Sequence, residues 1–236
     1  MQGADEPMAR PAHVFDPSPL GDARRLAALL PDGVRLAFAE PRHERAELHL
    51  LERAYLNGRA MLPVREREFC LGRALAREAL TGFGFPEHPL IPADTREPQW
   101  PAGIVGSISH CEDICAVAVA EDRYLSGLGI DLERIGRIDS SIATTICTPE
   151  ELDEPSEPGR LSALFSAKES IFKALFPSTR HFLDFRDVSV VIADDRFSAK
   201  PARPGLPTQI EALQGRFYLG HSIVVTTAWL TSSHTR

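Results

Sequence analysis

Apolar residues recur with a helical period in some parts of this 236-residue chain and in short blocks typical of strands in others. Between residues 64 and 80 they return every three or four positions until Thr81-Gly82 ends the pattern, which predicts a long helix. After Gly103, blocks rich in β-branched residues predict strands. The predicted helices span 22–30, 44–56, 64–80 and 160–175, with another start at Thr148, and the predicted strands span 34–39, 104–108, 114–120, 125–132, 187–193, 209–213, 216–219 and 222–230.

The order of these elements, helices followed by strands, occurs twice along the chain. It predicts an α+β fold of two similar subdomains, at residues 20–123 and 124–236, preceded by a flexible arm at residues 1–19. Pro177 is expected to end the helix that starts near Arg160. Short loops at the boundary indicate that the two subdomains pack against each other.

Composition narrows the function classes. The chain is 43% hydrophobic and 25% charged, as in ordinary globular proteins, and its net charge of -7 disfavours non-specific nucleic-acid binding. The longest apolar stretch, 114–120, is too short to span a membrane, and no targeting segment is evident, so a cytoplasmic location is expected. Four cysteines without a CxxC pair indicate neither a zinc site nor a disulfide framework.

The first candidate for chemistry is the acidic strand Gly129 to Glu133. Side chains two apart on a strand share a face, so Asp131 and Glu133 point the same way. A single segment of this kind is more often a solvated strand end than a metal site.

The second candidate is the helix Phe165 to Lys173. Glu169 and Lys173 share one face, with Lys168 beside Glu169, and such a pair usually lies on a solvated surface and is worth about 0.2–0.5 kcal/mol. The surrounding residues are so apolar that burial is favoured instead, and buried charges need partners. If this helix packs on the acidic strand, three carboxylates and two ammonium groups meet, which suits Mg²⁺ and a phosphate.

Two further segments carry possible anion contacts. Ser109 and His110 end a predicted strand, where hydroxyl, backbone and imidazole groups can donate to an anion, although a histidine there is more often structural. Arg65, Arg67 and Arg73 lie on the helix 64–80. Surface arginines are usually only solvated, but small residues flank Arg73 and allow close packing beside a guanidinium, which suits phosphate.

Taken together, these motifs resemble the 4′-phosphopantetheinyl transferases of the surfactin and enterobactin type. The family pattern Gly-(Ile/Val)-Asp-x-Glu corresponds to residues 129–133, and Phe/Trp-Ser-x-Lys-Glu-(Ser/Ala)-x-x-Lys corresponds to residues 165–173. Residues 68–77 and 96–110 look like the enterobactin-type subgroup. The resemblance implies two α+β halves in pseudo-two-fold arrangement, with coenzyme A in the cleft between them and its phosphopantetheine arm moved to a serine of an apo acyl or peptidyl carrier protein.

The resemblance also implies roles for individual residues. Asp131, Glu133 and Glu169 would hold Mg²⁺, and Asp131, Glu169 and Lys173 would be catalytic. Lys173 would assist the leaving group, Lys168 would contact phosphate, and either Glu169 or a water on the metal would take the serine proton. The implied contacts of coenzyme A are Arg67, Arg73, Arg96, Ser109, His110, Asp131, Lys168, Glu169 and Lys173, with Arg65 as an alternative to Arg67.

Three hypotheses about the function compete at this point. The first is the transferase, which needs no covalent enzyme intermediate and is expected to act as a monomer. The second is an inactive relative that binds coenzyme A or a carrier protein, and the third is an unrelated Mg²⁺-dependent phosphotransferase, for which no P-loop pattern is found. The sequence does not identify the carrier protein, although the enterobactin-like motifs favour siderophore and other secondary metabolism. Apolar residues expected to dock it are Ile142, Ile146 and Leu152.

Overall fold

Two antiparallel sheets, each packed against one long helix, make up the part of the protein that the structure describes. The structure is a computed structural model that describes residues 23–39, 47–112, 114–154 and 159–233, so the predicted arm at 1–19 lies outside the described residues. The predicted α+β class is confirmed. The helices are α1 Ala23–Ala27, α2 Leu50–Asn57, α3 Pro63–Thr81, α4 Ala143–Ile146, α5 Pro149–Leu152, α6 Arg160–Thr179 and α7 Gln209–Ala212, and the strands are β1 Arg35–Ala39, β2 Ile104–Cys111, β3 Ile114–Glu121, β4 Leu125–Arg134, β5 Val188–Ala193, β6 Arg196–Pro201, β7 Gln214–Leu219 and β8 Ile223–Thr231.

The first sheet has the strand order β1-β3-β2, and α3 covers one of its faces. Pro63 occupies the first turn of α3, where its missing N–H costs no hydrogen bond. Strand β3 is central and almost wholly buried, which explains its continuous apolar run. Leu75 and Leu80 of α3 pack there against Val117 and Val119.

The second sheet has the order β4-β8-β7-β6-β5, and α6 crosses it closely at β4. Two glycines of β4 permit this approach. A Cβ atom at Gly127 would collide with the carbonyl of Ala174, and one at Gly129 would collide with the carbonyl of Ser170. The glycine that opens the acidic motif is therefore explained by contact between a strand and the backbone of α6.

A shared core joins the two sheets. Ile114 of the first sheet and Ile130 of the second belong to one buried cluster, which also contains Leu26 of α1 and Leu29 in the turn after it. The Oγ1 of Thr227 in β8 donates a hydrogen bond to the carbonyl of Leu29 at 3.0 Å. Since α1 and the turn after it thus contact the second sheet, the division at residues 123 and 124 stays a prediction about sequence segments.

Several predicted boundaries are corrected by the structure. Residues 209–213 are predicted as a strand, but 209–212 form helix α7, because four residues around one fully buried side chain, Ile210, do not define a period. Strand β6 was not predicted at all. Helix α6 continues through Pro177 to Thr179, since a proline so near the end removes one hydrogen bond, and left-handed Arg180 then ends the helix. Helix α2 begins at Leu50 rather than at residue 44, and residues 44–46 are outside the described part.

No helix in the described ranges is both long enough and apolar enough to cross a bilayer.

Candidate active site

Asp131 of β4 and Lys173 of α6 form the centre of the candidate site. The carboxylate of Asp131 is 4% exposed, and its Oδ1 lies 2.6 Å from the Nζ of Lys173. The same Nζ donates to the carbonyl of Ile130 at 3.3 Å. The contact confirms that the acidic strand and the lysine helix pack together, with Asp131 and Lys173 in direct contact.

Ser109 of β2 completes this centre from the first sheet. Its hydroxyl donates to Asp131 Oδ1 at 2.8 Å and accepts from Lys173 Nζ at 3.2 Å. It also accepts from the backbone N–H of Leu132 at 3.3 Å, and the Ser107 hydroxyl likewise accepts from the N–H of Ile130 at 3.1 Å. The two serines therefore tie β2 to β4 at the position of the candidate site.

Lys173 leaves one oxygen of Asp131 without a partner among the described residues, and two further carboxyl groups lie in the same electrostatic environment. This oxygen, Oδ2, is buried. Burial, together with the neighbouring Asp131, raises the pKa of Glu133 to about 7. Burial also raises the pKa of Glu169, with a smaller contribution from Asp131 and an opposing one from Lys173. Asp131, Glu133 and Glu169 are thus electrostatically coupled in a site that favours an added cation.

The chemistry of these donors fits Mg²⁺, which prefers carboxylate oxygens. Within the described ranges, however, no three His, Cys, Asp or Glu side chains are arranged as a metal site. The cation beside Asp131 is the ammonium of Lys173. The fit rests on the unpartnered Oδ2 and on the perturbed carboxyls, and the ligand set stays a prediction.

His110 lies at the edge of this centre. Its Nδ1 is 3.4 Å from Glu68 Oε2, and that oxygen accepts from Arg65 at 3.0 Å. Burial lowers the pKa of His110, the Glu68 carboxylate opposes this shift, and Lys173 and Arg65 add to it. The structure therefore places Arg65 in the group around His110, although Arg65 and Arg67 are both exposed on α3.

Lys168 does not join the candidate site. Its ammonium donates to Glu151 Oε2 at 2.6 Å and to the carbonyls of Ile146 and Phe185 at 2.8 and 2.9 Å. All three N–H bonds of the ammonium are occupied, and the residue is 4% exposed. The predicted phosphate contact of Lys168 is contradicted because no donor is left for a ligand.

Arg73 and Arg96 lie in the first half of the chain, on α3 and in the loop before β2. The Nε of Arg73 donates to the carbonyl of Leu90 at 3.1 Å, and its guanidinium stacks over Phe69 at 4.0 Å. Burial lowers the pKa of Arg73 to about 10. Arg96 is exposed in the loop before β2, with a left-handed φ of 77°. Their roles toward coenzyme A stay predictions.

Sequence reasoning missed two residues of the site. Glu68 lies between Arg65 and His110, where it accepts a hydrogen bond from Arg65 and faces the His110 ring. Arg137, three residues after β4, is exposed and lowers the pKa of Glu133 against the effect of burial. The spacing of three between Arg65 and Glu68 was the available signal for the first. Nothing in the local pattern indicated the second.

Comparison with known families identifies the class of protein. A model described as the 4′-phosphopantetheinyl transferase N-terminal domain matches residues 51–120. A second, described as the 4′-phosphopantetheinyl transferase superfamily, matches residues 127–228. The chain belongs to the 4′-phosphopantetheinyl transferase family and is an enzyme of that class, as the sequence motifs predicted.

Individual relatives agree with this assignment. The chain is 35% identical over 217 residues to 4′-phosphopantetheinyl transferase Svp of Streptomyces mobaraensis, covering 85% of this chain and 87% of Svp. It is 32% identical over 218 residues to PptT of Mycobacterium tuberculosis, covering 85% and 96% of the two chains. Enterobactin synthase component D of Escherichia coli is 35% identical over 133 residues, covering 53% of this chain and 62% of that protein.

Among solved structures, Thermotoga maritima holo-[acyl-carrier-protein] synthase overlaps 46% of this chain and 65% of its own, with 17% identity and a TM-score of 0.37. A TM-score this low does not support a conclusion about the fold.

Proposed function

We propose that this protein transfers the 4′-phosphopantetheine arm of coenzyme A to a serine hydroxyl of an apo acyl or peptidyl carrier protein and releases adenosine 3′,5′-bisphosphate. The observation that carries the proposal is the contact of Lys173 with Asp131 and Ser109 at the seam of the two sheets. A cation, a carboxylate with an unpartnered oxygen and two further acids meet there. Phosphoryl transfer depends mainly on such charge placement.

Asp131, Glu133 and Glu169 would hold Mg²⁺ in this proposal. The support is the buried Oδ2 of Asp131 and the raised pKa of the other two carboxyls, which a divalent cation would lower again. When bound, the metal supplies positive charge that neutralises the pyrophosphate of coenzyme A.

The side chains of the protein would handle the proton and the leaving group. The carrier hydroxyl forms a new bond to the β-phosphorus, and the bond from that phosphorus to the bridging oxygen breaks. Glu169, or a water bound near it, would accept the hydroxyl proton. Lys173 would neutralise the charge that develops on the departing phosphate oxygen.

The 3′-phosphate of coenzyme A would lie near His110. His110 adjoins Ser109 in sequence, and Arg65 brings a guanidinium to the same group through Glu68. Arg73 and Arg96 would contribute from α3 and from the loop before β2. Arg67 is the weaker candidate, because Arg65 is the arginine that contacts Glu68 beside His110.

An apolar face of α6 next to these charges would suit the uncharged pantetheine arm. Phe172 precedes Lys173, stacks on Phe176 with ring centroids 5.0 Å apart, and meets Phe182 edge-on at 5.4 Å. Phe182 is 75% exposed. Among the residues expected to dock the carrier, Ile142 and Leu152 are exposed, whereas Ile146 is buried and cannot contact a carrier protein.

The proposed enzyme works as a monomer, because one chain supplies the whole candidate site. Ser109 and His110 come from the first sheet, and Asp131, Glu169 and Lys173 come from the second half. We also propose a cytoplasmic location. The support is that the buried Cys111, Cys115 and Cys147 form no disulfide within the described part of the chain, as is usual in a reducing compartment.

The test is intact-protein mass spectrometry of several apo carrier proteins incubated with this protein, coenzyme A and Mg²⁺. The expected result is a gain of one phosphopantetheine arm that EDTA prevents. Asp131→Asn should abolish the gain while circular dichroism shows an intact fold, and Asp122→Asn, at an exposed turn, is the matched control. Coenzyme A binding without transfer to any carrier would instead favour an inactive binding relative.

A further inference from the structure

A buried ion pair lies on the far side of α6 from the candidate site. Lys168 Nζ and Glu151 Oε2 are 2.6 Å apart, and the two side chains are 2% and 3% exposed. The remaining donors of the ammonium reach the carbonyl of Ile146 at the end of α4 and that of Phe185 in the turn before β5.

The carboxylate of Glu151 is bound just as completely. Its Oε1 accepts from the N–H of Val190 in β5 at 2.7 Å, and its Oε2 accepts from the N–H of Thr148 at 2.7 Å. The pair, which we call the Lys168–Glu151 clamp, therefore connects α4, α5, β5 and the turn before it to one point on α6.

The position of this point on α6 matters because Lys168 directly precedes Glu169. Neighbouring helical residues project about 100° apart, so Lys168 enters the interior of the second half while Glu169 turns toward β4. The clamp opposes rotation of α6, since any rotation breaks several directional hydrogen bonds. A rotation of about 10° would move a carboxylate ~6 Å from the helix axis by ~1 Å. A misplacement of ~1 Å at reacting groups can cost on the order of 100-fold in rate.

We propose that Lys168 and Glu151 are positioning residues, which set the rotation of α6 and thereby the place of the Glu169 carboxylate beside Asp131. The inference rests on the proposed function. Neither residue touches substrate, and both act through the helix. A purely stabilising role would predict that an uncharged pair preserves the chemistry, because buried ion pairs can often be replaced by neutral groups without loss of stability.

The variant that separates these roles is Lys168→Met with Glu151→Gln. Glutamine keeps a carbonyl oxygen for the N–H of Val190, and no buried charge is left unpaired. We expect a folded protein whose kcat falls on the order of 100-fold while KM for coenzyme A changes by less than about threefold. Leu206→Ala, a core truncation in the same half, is the control and should lower the melting temperature without lowering kcat.

A second readout is calorimetry of coenzyme A binding with and without Mg²⁺. In the double variant the gain in affinity from Mg²⁺ should be lost, while Mg²⁺-free binding matches the wild type. Equal kcat and an equal Mg²⁺ effect in the folded double variant and the wild type would overturn the clamp. A wild-type protein that transfers nothing contradicts the proposed function instead. In that case the clamp is tested by comparing the gain in coenzyme A affinity from Mg²⁺ in the double variant with the gain in the wild type.

Discussion

Replacing Lys173 with methionine removes the cation beside Asp131 and leaves the carboxylate with Ser109 as its hydrogen-bond partner. Removing one partner of a buried ion pair lowers the free energy of unfolding by about 3–5 kcal/mol. Because the Lys173 side chain is 26% exposed, the expected loss here is ~2 kcal/mol. For a chain of this size that lowers the melting temperature by ~4–8 °C. Mg²⁺ should restore more stability to the variant than to the wild type, because it replaces the missing charge.

The same substitution should lower turnover strongly. Loss of one group that stabilises developing charge costs on the order of 100- to 1,000-fold in kcat, with a smaller effect on KM for coenzyme A. The assay is the rate of phosphopantetheine transfer to a carrier protein followed by mass spectrometry. Lys200→Met is the matched control, since Lys200 is exposed in β6 and its loss removes the same charge outside the candidate site.

Two results would refute this reasoning. A Lys173→Met protein with kcat within about threefold of the wild type would remove the ammonium from the chemical step. An unchanged melting temperature without Mg²⁺ would mean that Asp131 does not depend on this partner for its charge.

Three further predictions concern the edges of the site. Burial lowers the pKa of His110, so the contribution of His110 to folding stability is present above the ordinary histidine pKa and is lost as the pH falls. A bound phosphate reverses this shift, so calorimetry should show that the protein takes up protons when it binds coenzyme A. This uptake should be absent in His110→Gln and reduced with 3′-dephospho-coenzyme A. Arg65→Gln should reduce the preference for coenzyme A over its 3′-dephospho form more than Arg67→Gln does, and equal effects would contradict the assignment of Arg65. Gly129→Ala should lower the melting temperature by several degrees because its Cβ meets the backbone of Ser170, so an unchanged melting curve would refute the close packing of β4 and α6.

The centre of the site could be predicted because two simple periods meet there. The two-residue period of a strand puts Asp131 and Glu133 on one face, and the helical period puts Glu169 and Lys173 on one face. The need of buried charges for partners then brings the two faces together. The contact of Lys173 with Asp131 is the outcome of these local rules, and it requires no knowledge of the remaining fold.

The direction of Lys168 could not be predicted by the same rules. Helix α6 is apolar on nearly all sides, so its pattern does not show which neighbour lies against which face. The partner of Lys168 is Glu151, 17 residues earlier and beyond a break in the chain pattern. Strand β6 escaped prediction for a related reason, since its alternation of exposed and buried residues depends on pairing with β5 and β7.

In the first half, the residue type alone also could not show whether a charged side chain binds a ligand or holds the protein backbone in place. Arg73 was predicted to bind phosphate, yet its Nε holds the carbonyl of Leu90, while Glu52 accepts from the N–H of the same residue at 2.9 Å. The two charged side chains thus fix Leu90 within the loop that carries Arg96. The proposed contact of Arg96 with coenzyme A would therefore depend on Arg73 through this loop.

The relative position of the two sheets is itself a determinant of the site. The acids lie in the second half, whereas Ser109 and His110 lie in the first, so a shift of β2 along β4 would separate them. Ser107 opposes such a shift only through the N–H of Ile130. Ser109 binds the N–H of Leu132 and also the charged pair of Asp131 and Lys173. The hydroxyl that orders the site is therefore one of those that hold the halves together, and stability and activity are coupled at Ser109 in a way that they are not at Ser107.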